Sequence, residues 1–459
     1  MDCFFGEATQ AHGMRRHFTN AIYGVLDYAS YPLGMLLVAP IVIHKLGAAE
    51  YGLWMIATSV ISACGIIASG FCDACIQRIA QLRAAGEAAW MVHTVRSMLG
   101  IGLILGLVLA VLVWVAAPYA TSRISVPQLV SQRECLISLR IASVLILVRG
   151  IESVGVSVHR AFESYSSTVK ISTAVRVLTL ISAAALAQSG HRTVSILTMT
   201  GIFLIGGTYL QFRQLRAFLG VVSLMPIFQP RETRLLLGLG IFVWLQALGG
   251  VVFGQFDRIL LGVTSGALVV APYALCIQFA QPLFGLTASG LHFLFPYLSG
   301  RAHVISLVAL RQTVLKAMIC NLLLVVTGAG LLALLGDRLL RAWAGPTMGH
   351  VATQIFPPIL LGSALLGLSV TATYALQALG LFRTVAIFSL GGRSVLLVLM
   401  IYLMHHFGLW GLSLSRVCYG AIALLVYLPL FRVLSGAVTA SSPTAIMTNP
   451  SKLQEGSTS

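Results

Sequence analysis

Long apolar runs alternate with short polar connections along almost the whole chain. Twelve of these runs reach the roughly 20 residues that an α-helix needs to cross the hydrocarbon core of a bilayer. The pattern therefore predicts an all-α polytopic membrane protein with about twelve transmembrane helices and without a separate extramembrane domain. The predicted spans are 20–43, 53–76, 98–118, 135–157, 169–188, 194–212, 235–256, 267–297, 313–336, 351–379, 384–404 and 409–431.

The composition agrees with this pattern. Of the 459 residues, 58% are hydrophobic and 9% are charged, whereas soluble domains carry about 25% charged residues. The formal net charge is +16. In a membrane protein this excess marks cytoplasmic loops, so we expect no nucleic-acid partner. The first apolar run follows Arg15 and Arg16 and is too long for a cleavable signal peptide.

The distribution of Lys and Arg predicts the orientation in the membrane. Seventeen of them lie on the side that carries the N-terminus and seven on the other side. With an even number of spans, the positive-inside rule then places both termini in the cytoplasm. The predicted organisation is a cytoplasmic N-terminus (1–19), a first lobe with spans one to six (20–212), a cytoplasmic interlobe loop (213–234), a second lobe with spans seven to twelve (235–431) and a disordered cytoplasmic tail (432–459).

The two halves of the chain contain short matching segments. LGAAEYGLW after the first span matches LGVTSGALVVAPYAL after the seventh, which pairs Gly47 with Gly262. A second match brings Arg176 beside Arg393. The two members of each pair are separated by nearly the same length of chain, which chance matches would not keep. We therefore predict two six-helix lobes related as repeats, a common plan among transporters.

Arginines placed within the spans are the candidate binding residues. A charge at the bilayer centre costs about 2.5–3.5 kcal/mol on insertion scales, so it faces a cavity or a partner. A guanidinium suits a phosphate, because its planar fork donates two parallel hydrogen bonds and stays charged. We predict a cationic cavity for an anionic substrate. Its candidate residues are Arg149, Arg176, Arg393, Arg416 and, near the outer end of span four, Arg140.

Internal ion pairs are the alternative interpretation of these arginines. Glu152 follows Arg149 by three residues and lies on the same helical face, so the two can neutralise each other. Arg140 is close enough to the end of its span for the side chain to reach the interface. The embedded arginines nevertheless outnumber the embedded acids, which favours the cationic cavity.

Three embedded acids are candidates for ion coupling: Asp27, Asp73 and Glu152. A desolvated carboxylate has a raised pKa and can exchange a proton or bind Na⁺. For Asp73 the favoured alternative is a helix-end residue near Arg78. For Asp27 a structural role and a coupling role are equally supported.

Motifs of common enzymes and metal sites are missing from the sequence. It contains no G-x-x-x-x-G-K-[ST] loop, no G-x-S-x-G elbow and no set of residues spaced as zinc ligands. Cys72 and Cys75 form a C-x-x-C without a second pair, within an apolar run. We expect a protein that is not an enzyme and that uses no cofactor or metal.

Four segments carry a resemblance to a known family. Asn20–Tyr28 (N-x-x-Y-G-V-L-D-Y), Leu46–Trp54, Gly70–Ala80 and Phe256–Gly262 resemble the Wzx-type oligosaccharide flippases. These flippases export polysaccharide units and belong to the multidrug/oligosaccharidyl-lipid/polysaccharide (MOP) superfamily. The resemblance extends over the twelve spans and both lobes, so the fold that it implies is MATE/MOP-like.

The resemblance implies a flippase of the bacterial inner membrane. It would move undecaprenyl-pyrophosphate-linked oligosaccharides to the outer leaflet by alternating access, coupled to H⁺ or Na⁺. Its partners would be the lipid-linked oligosaccharide, membrane lipid and the polysaccharide polymerase or chain-length machinery. By their place within spans, Arg149, Arg176, Arg393 and Arg416 would contact the substrate.

Two other functions stay open. A cation-coupled multidrug exporter of the same superfamily would need an acid-dominated cavity. An O-antigen polymerase or ligase would need a large periplasmic loop, and the longest predicted outer loop covers only about 118–134.

Overall fold

A computed structural model describes residues 34–126, 128–162, 165–221, 223–291, 294, 298 and 307–435. Asp27, the N-terminal half of predicted span one and the predicted tail beyond 435 lie outside these residues. The helices of the first lobe are α1 (Gly34–Leu46), α2 (Ala48–Ala68), α3 (Cys72–Ala84), α4 (Ala88–Ile124), α5 (Gln132–Ala161), α6 (Tyr165–Gln188) and α7 (Thr193–Leu219).

The second lobe begins with α8 (Pro230–Val251), which continues through one π-helical turn into α9 (Asp257–Ser265). Glycines with a positive φ divide two later stretches. Gly345 divides Leu307–Ala378 and Gly408 divides Phe382–Ala423. The remaining helices are α10 (Ala267–Gly290), α11 (307–344), α12 (346–378), α13 (382–407), α14 (409–423) and α15 (Tyr427–Leu434).

The number of spans agrees with the prediction. Within the described residues, nine stretches are long and apolar enough to cross a membrane. Two of them, Val308–Ala378 and Phe382–Leu434, would be about 106 and 80 Å long as straight helices. Each of these is therefore two spans, separated by the glycine within it. Together with α1, the described part of span one, the total is twelve, and the predicted all-α architecture is confirmed.

The bends that follow spans one and seven have the same backbone conformation. Gly47 has φ 90° and ψ 166°, and Gly266 has φ 82° and ψ 169°. Residues with a side chain rarely adopt this positive φ, so glycine is needed at both bends. The repeat partner of Gly47 is thus Gly266. The predicted pairing with Gly262 is wrong, because Gly262 lies inside α9.

The first bend is shorter than the sequence suggests. Gly47 alone forms it, and the following Ala-Ala-Glu-Tyr-Gly is the first turn of α2. Glu50 is buried there and caps α7: its carboxylate accepts the Thr193 backbone N–H at 3.0 Å, and its carbonyl accepts the Thr193 hydroxyl at 3.0 Å. The polar residue of this segment therefore faces the protein interior rather than solvent.

We name the two ends of the spans after the predicted orientation. The outer end carries Gly47 and Gly266, and the inner end carries the loop 220–229. At the outer end, α2 and α10 are so close that a Cβ on Gly52 would lie 1.8 Å from the Ala267 carbonyl oxygen. At the C-terminal end of α2, the Trp244 indole N–H donates to the Ile67 carbonyl at 2.9 Å. Helix α2 is thus the main contact between the lobes.

Candidate functional site

Three of the predicted arginines lie at similar distances from the inner ends of their helices. Arg149 is about three turns before the inner end of α5, and Arg176 and Arg393 are about three turns after the inner ends of α6 and α13. At the helical rise of about 1.5 Å per residue, all three are about 16–18 Å from the inner ends of their helices. This common depth is what a binding site shared by the two lobes requires.

Arg149 forms an ion pair with Glu152, as the alternative interpretation of the sequence predicted. Its Nη1 donates to Glu152 Oε2 at 2.6 Å. The Arg149 side chain is 37% exposed, whereas the Glu152 side chain is 9% exposed. On the neighbouring helix, a Cβ on Gly65 would lie 3.8 Å from Arg149 Cβ, so the pair is next to α2. The charge that is accessible at this face is the guanidinium.

Arg393 has a similar place in the second lobe. A Cβ on Gly249 of α8 would lie 2.9 Å from Arg393 Cδ and 3.1 Å from its Nη1. Arg393 therefore occupies the space that the absent Gly249 side chain leaves. Arg176 and Arg393 are both half-buried, and neither is without a partner.

The contact between α2 and α8 relates Arg149 to Arg393. These helices run antiparallel and touch where Trp244 meets Ile67. Measured outward from that contact, Gly65 is about 3 Å away and Gly249 about 7.5 Å away. Along the axis of the α2–α8 pair, the contact points of the two arginines are therefore within about one helical turn of each other.

Arg140 lies on the opposite side of α5 from Arg149. The two are nine residues apart on α5, which is about half a turn around the helix axis. The guanidinium of Arg140 lies over the ring of Trp114 on α4, 4.8 Å from its centroid, and its Nε is buried without a hydrogen-bond acceptor. Trp114 is 45% exposed, so Arg140 lies near the lipid-facing surface of the first lobe.

Arg416 belongs to a buried cluster within the second lobe. It pairs with Asp257, and its Nε donates to Tyr273 Oη at 2.8 Å. Tyr273 donates in turn to Asp257 Oδ2 at 2.6 Å, and the Arg258 backbone N–H donates to Oδ1 at 2.8 Å. The side chains of Arg416 and Asp257 are 6% and 0% exposed. The cluster joins α9, α10 and α14.

The sequence placed Asp257 at the edge of span seven, and this placement is wrong. The span was predicted to end at 256, but α9 continues to Ser265, so Asp257 is two turns inside. Arg258, which follows the predicted span on its outer side, lies inside α9 for the same reason. The apolar Ile-Leu-Leu that follows Arg258 was the signal that the helix continues.

Asp73 is exposed in the first turn of α3, which agrees with the helix-end alternative. Its expected neighbour Arg78 has a different partner. Arg78 donates from Nε and Nη2 to Glu232 at 3.1 and 2.8 Å, and the Thr94 hydroxyl donates to the same carboxylate at 3.0 Å. This ion pair joins the first lobe to α8.

Sequence reasoning placed Glu232 in the interlobe loop and missed its role. Helix α7 extends to Leu219 and α8 begins at Pro230, so only 220–229 is a loop. A proline at the first helical position followed by an acid in the first turn is typical of a helix N-terminus, and this signal was present in Pro230 and Glu232.

A metal site is not found in the part of the chain that the structure describes. No group of three or more His, Cys, Asp or Glu is close enough there to hold a metal ion. Cys72 and Cys75 are buried, and the Cys72 thiol donates to the Ser153 carbonyl at 3.5 Å.

Comparisons with known proteins extend these findings. No protein-family profile matches the sequence, and no curated protein does. Solved structures match over nearly the whole chain. A multidrug-resistance transporter of the MATE family in the MOP superfamily, in an inward-facing conformation, has a TM-score of 0.69 at 12% identity and covers 90% of this chain and 99% of its own.

The lipid II flippase MurJ, in an inward closed conformation, also has a TM-score of 0.69, at 15% identity, with 90% of this chain and 87% of MurJ covered. The eukaryotic MATE transporter AtDTX14 has a TM-score of 0.62 at 15% identity, with 92% and 96% covered. This chain therefore shares the fold of the MATE transporters and, over these spans, of MurJ.

Proposed function

We propose that the chain is a flippase for undecaprenyl-pyrophosphate-linked oligosaccharides, which it moves by alternating access from the inner to the outer leaflet of the bacterial inner membrane. The observation that carries this proposal is the accessible charge at Arg149. Its side chain is 37% exposed, while that of its partner Glu152 is 9% exposed. An anionic headgroup at this face meets a guanidinium fork, which binds phosphate oxygens in two parallel hydrogen bonds.

The other arginines at the same depth support an anionic substrate. Of the eight described carboxylates, six are paired with Arg78, Arg149, Arg192, Arg341 or Arg416, and the remaining two are exposed near helix starts. We infer that Arg149, Arg176 and Arg393 contact the substrate. Arg140 and Arg416 fit this role less well, because one lies near the lipid and the other is enclosed by Asp257 and Tyr273.

A multidrug exporter coupled to a cation is the second candidate, since the fold is shared with the MATE transporters. A cationic drug needs an available carboxylate, and at this depth the described carboxylate, Glu152, is already paired with Arg149. A polymerase or ligase is disfavoured, because only residues 125–131 connect α4 to α5 at the outer end. Coupling to H⁺ or Na⁺, with Asp27, Asp73 or Glu152 as the site, stays a prediction.

The two leading candidates predict opposite results for two substitutions. Cells that depend on this protein for surface polysaccharide would carry Arg149→Gln, Glu152→Gln or the double variant, and both polysaccharide export and resistance to cationic dyes would be measured. For a flippase, Arg149→Gln and the double variant abolish polysaccharide export. For a drug exporter, Glu152→Gln abolishes dye resistance.

The double variant separates function from folding, since it removes both members of the pair and leaves no unpaired charge in the membrane. Arg133→Ala is the matched control, because Arg133 is exposed at the outer end of the same helix. Membrane insertion would be checked for each variant by its level in the membrane fraction. Normal polysaccharide export by the double variant would refute the role of Arg149.

A further inference from the structure

The inner end of α7 has a surface that the transport proposal does not use. Arg213 and Arg216 are both exposed there, and no carboxylate of the described residues pairs with either. Together with Tyr209 and Phe212 they line a groove of about 400 Å³, which is closed at the end of the helix by Gly220 and Val221. This volume is within the range of small-ligand sites, about 300–1,000 Å³.

The arginines continue an apolar strip on the same face of the helix. Ile202, Ile205 and Tyr209 are 55%, 53% and 65% exposed. At about 100° per residue these three and the two arginines fall within an arc of about 80°. The opposite face, with Leu204, Gln211 and Leu215 among others, is buried against the first lobe. The strip therefore faces lipid.

The length of the strip matches one leaflet of a bilayer. From Ile202 to Arg213 the helix rises about 16 Å along its axis, and half of a hydrocarbon core is about 15 Å. Between them, Gly206 is exposed and a Cβ there would meet nothing within 4 Å, so the strip contains a shallow depression. An acyl chain in this leaflet can lie along the strip while its headgroup reaches the arginines.

We propose that this face of α7 binds an anionic phospholipid of the leaflet at the inner end. Its phosphodiester is held between Arg213 and Arg216, and one acyl chain packs on Ile202, Ile205 and Tyr209. The positive-inside rule explains why basic residues lie at this end of the protein. It does not explain why two arginines lie on one face of a helix, or why they lie beside a groove lined by aromatic residues. Phosphate recognition by paired guanidiniums explains both features.

The test uses the full-length protein in nanodiscs of phosphatidylcholine with a fluorescent phosphatidylglycerol as the probe. Binding would be followed by energy transfer from the protein's tryptophans and checked by counting lipids that remain bound in native mass spectrometry. The test variant is Arg213→Gln/Arg216→Gln. The control is Arg383→Gln/Arg432→Gln, which removes two exposed charges from the same end of the protein.

We expect the apparent affinity for phosphatidylglycerol to fall about 30-fold in the test variant, because it loses the charged hydrogen bonds to the phosphodiester. The control loses only long-range attraction, which salt screens, so its affinity should fall less than about threefold. Equal losses in both variants would overturn the proposal, because they would show attraction by net charge alone. Displacement of the lipid probe by inorganic phosphate would also overturn it, since the groove would then be a site for soluble anions. Unchanged circular dichroism would confirm that the test variant is folded.

Discussion

The enclosed cluster around Asp257 allows a quantitative prediction. In Asp257→Asn the side chain keeps its size, but Arg416 loses its counterion while it remains 6% exposed. Removal of one member of a buried ion pair costs about 3–5 kcal/mol, because the other charge stays desolvated without compensation. The ratio of folded to unfolded protein should therefore fall about 100- to 5,000-fold.

A series of variants divides this loss among the contacts. Tyr273→Phe removes the hydroxyl that donates to Asp257 at 2.6 Å and accepts from Arg416 at 2.8 Å. Tyr273→Phe leaves the Asp257–Arg416 ion pair in place, so this variant should lose less stability than Asp257→Asn, which leaves Arg416 without its counterion. Asp257→Leu/Tyr273→Phe/Arg416→Met removes both charges and the hydroxyl between them, and should be close to the wild-type protein in stability or above it.

The assay is reversible unfolding of the purified protein in mixed micelles, with the free energy of unfolding obtained for each variant. A free energy for Asp257→Asn within about 1 kcal/mol of wild type would refute the reasoning, since it would mean that Arg416 reaches water or another partner. Transport by the stable triple variant answers a second question. If Arg416 binds substrate, as the sequence predicts, this variant folds but does not transport.

Two further predictions concern the contacts between the lobes. Gly52→Val should separate α2 from α10 at the outer end, because even a Cβ at Gly52 would lie 1.8 Å from the Ala267 carbonyl oxygen. A cysteine introduced at the buried Val270 should then react faster with an impermeant maleimide than it does without Gly52→Val. An unchanged rate would contradict the assigned contact. Glu232→Gln should lower the free energy of unfolding by about 1–3 kcal/mol, which is less than the loss in Asp257→Asn. The reason is that the Arg78 side chain is 17% exposed and can be hydrated when its partner is removed. An equal loss of stability in the two variants would contradict this ranking.

The residue types of the Leu46–Trp54 segment are explained by contacts that only the tertiary structure contains. The sequence predicted a polar bend, yet the one bend residue is Gly47, with its positive φ. Glu50 caps α7, Tyr51 is fully buried and Gly52 permits the contact with α10. The partners of Glu50 and Gly52 are far away in the chain, so no local pattern contains the reason for these residue types.

The sequence by itself determined the class of the protein, the number of spans and the presence of two related lobes. Each span must be apolar over about 20 residues because the bilayer offers no hydrogen bonds to the backbone, and this requirement is visible in any window of the chain. The depth of Arg149, Arg176 and Arg393 follows from the same reading, because depth along a helix depends only on residue number.

Only the tertiary structure decided which charges meet. Arg416 pairs with Asp257 and Arg78 pairs with Glu232, each across about a third of the chain, and Arg140 turns toward Trp114 instead of Arg149. Hydropathy reports that a residue is in the membrane but not the direction in which it points. That direction depends on which helices pack together, and their packing is set by close contacts such as those of Gly52 and Gly249, which depend on the shapes of both partners.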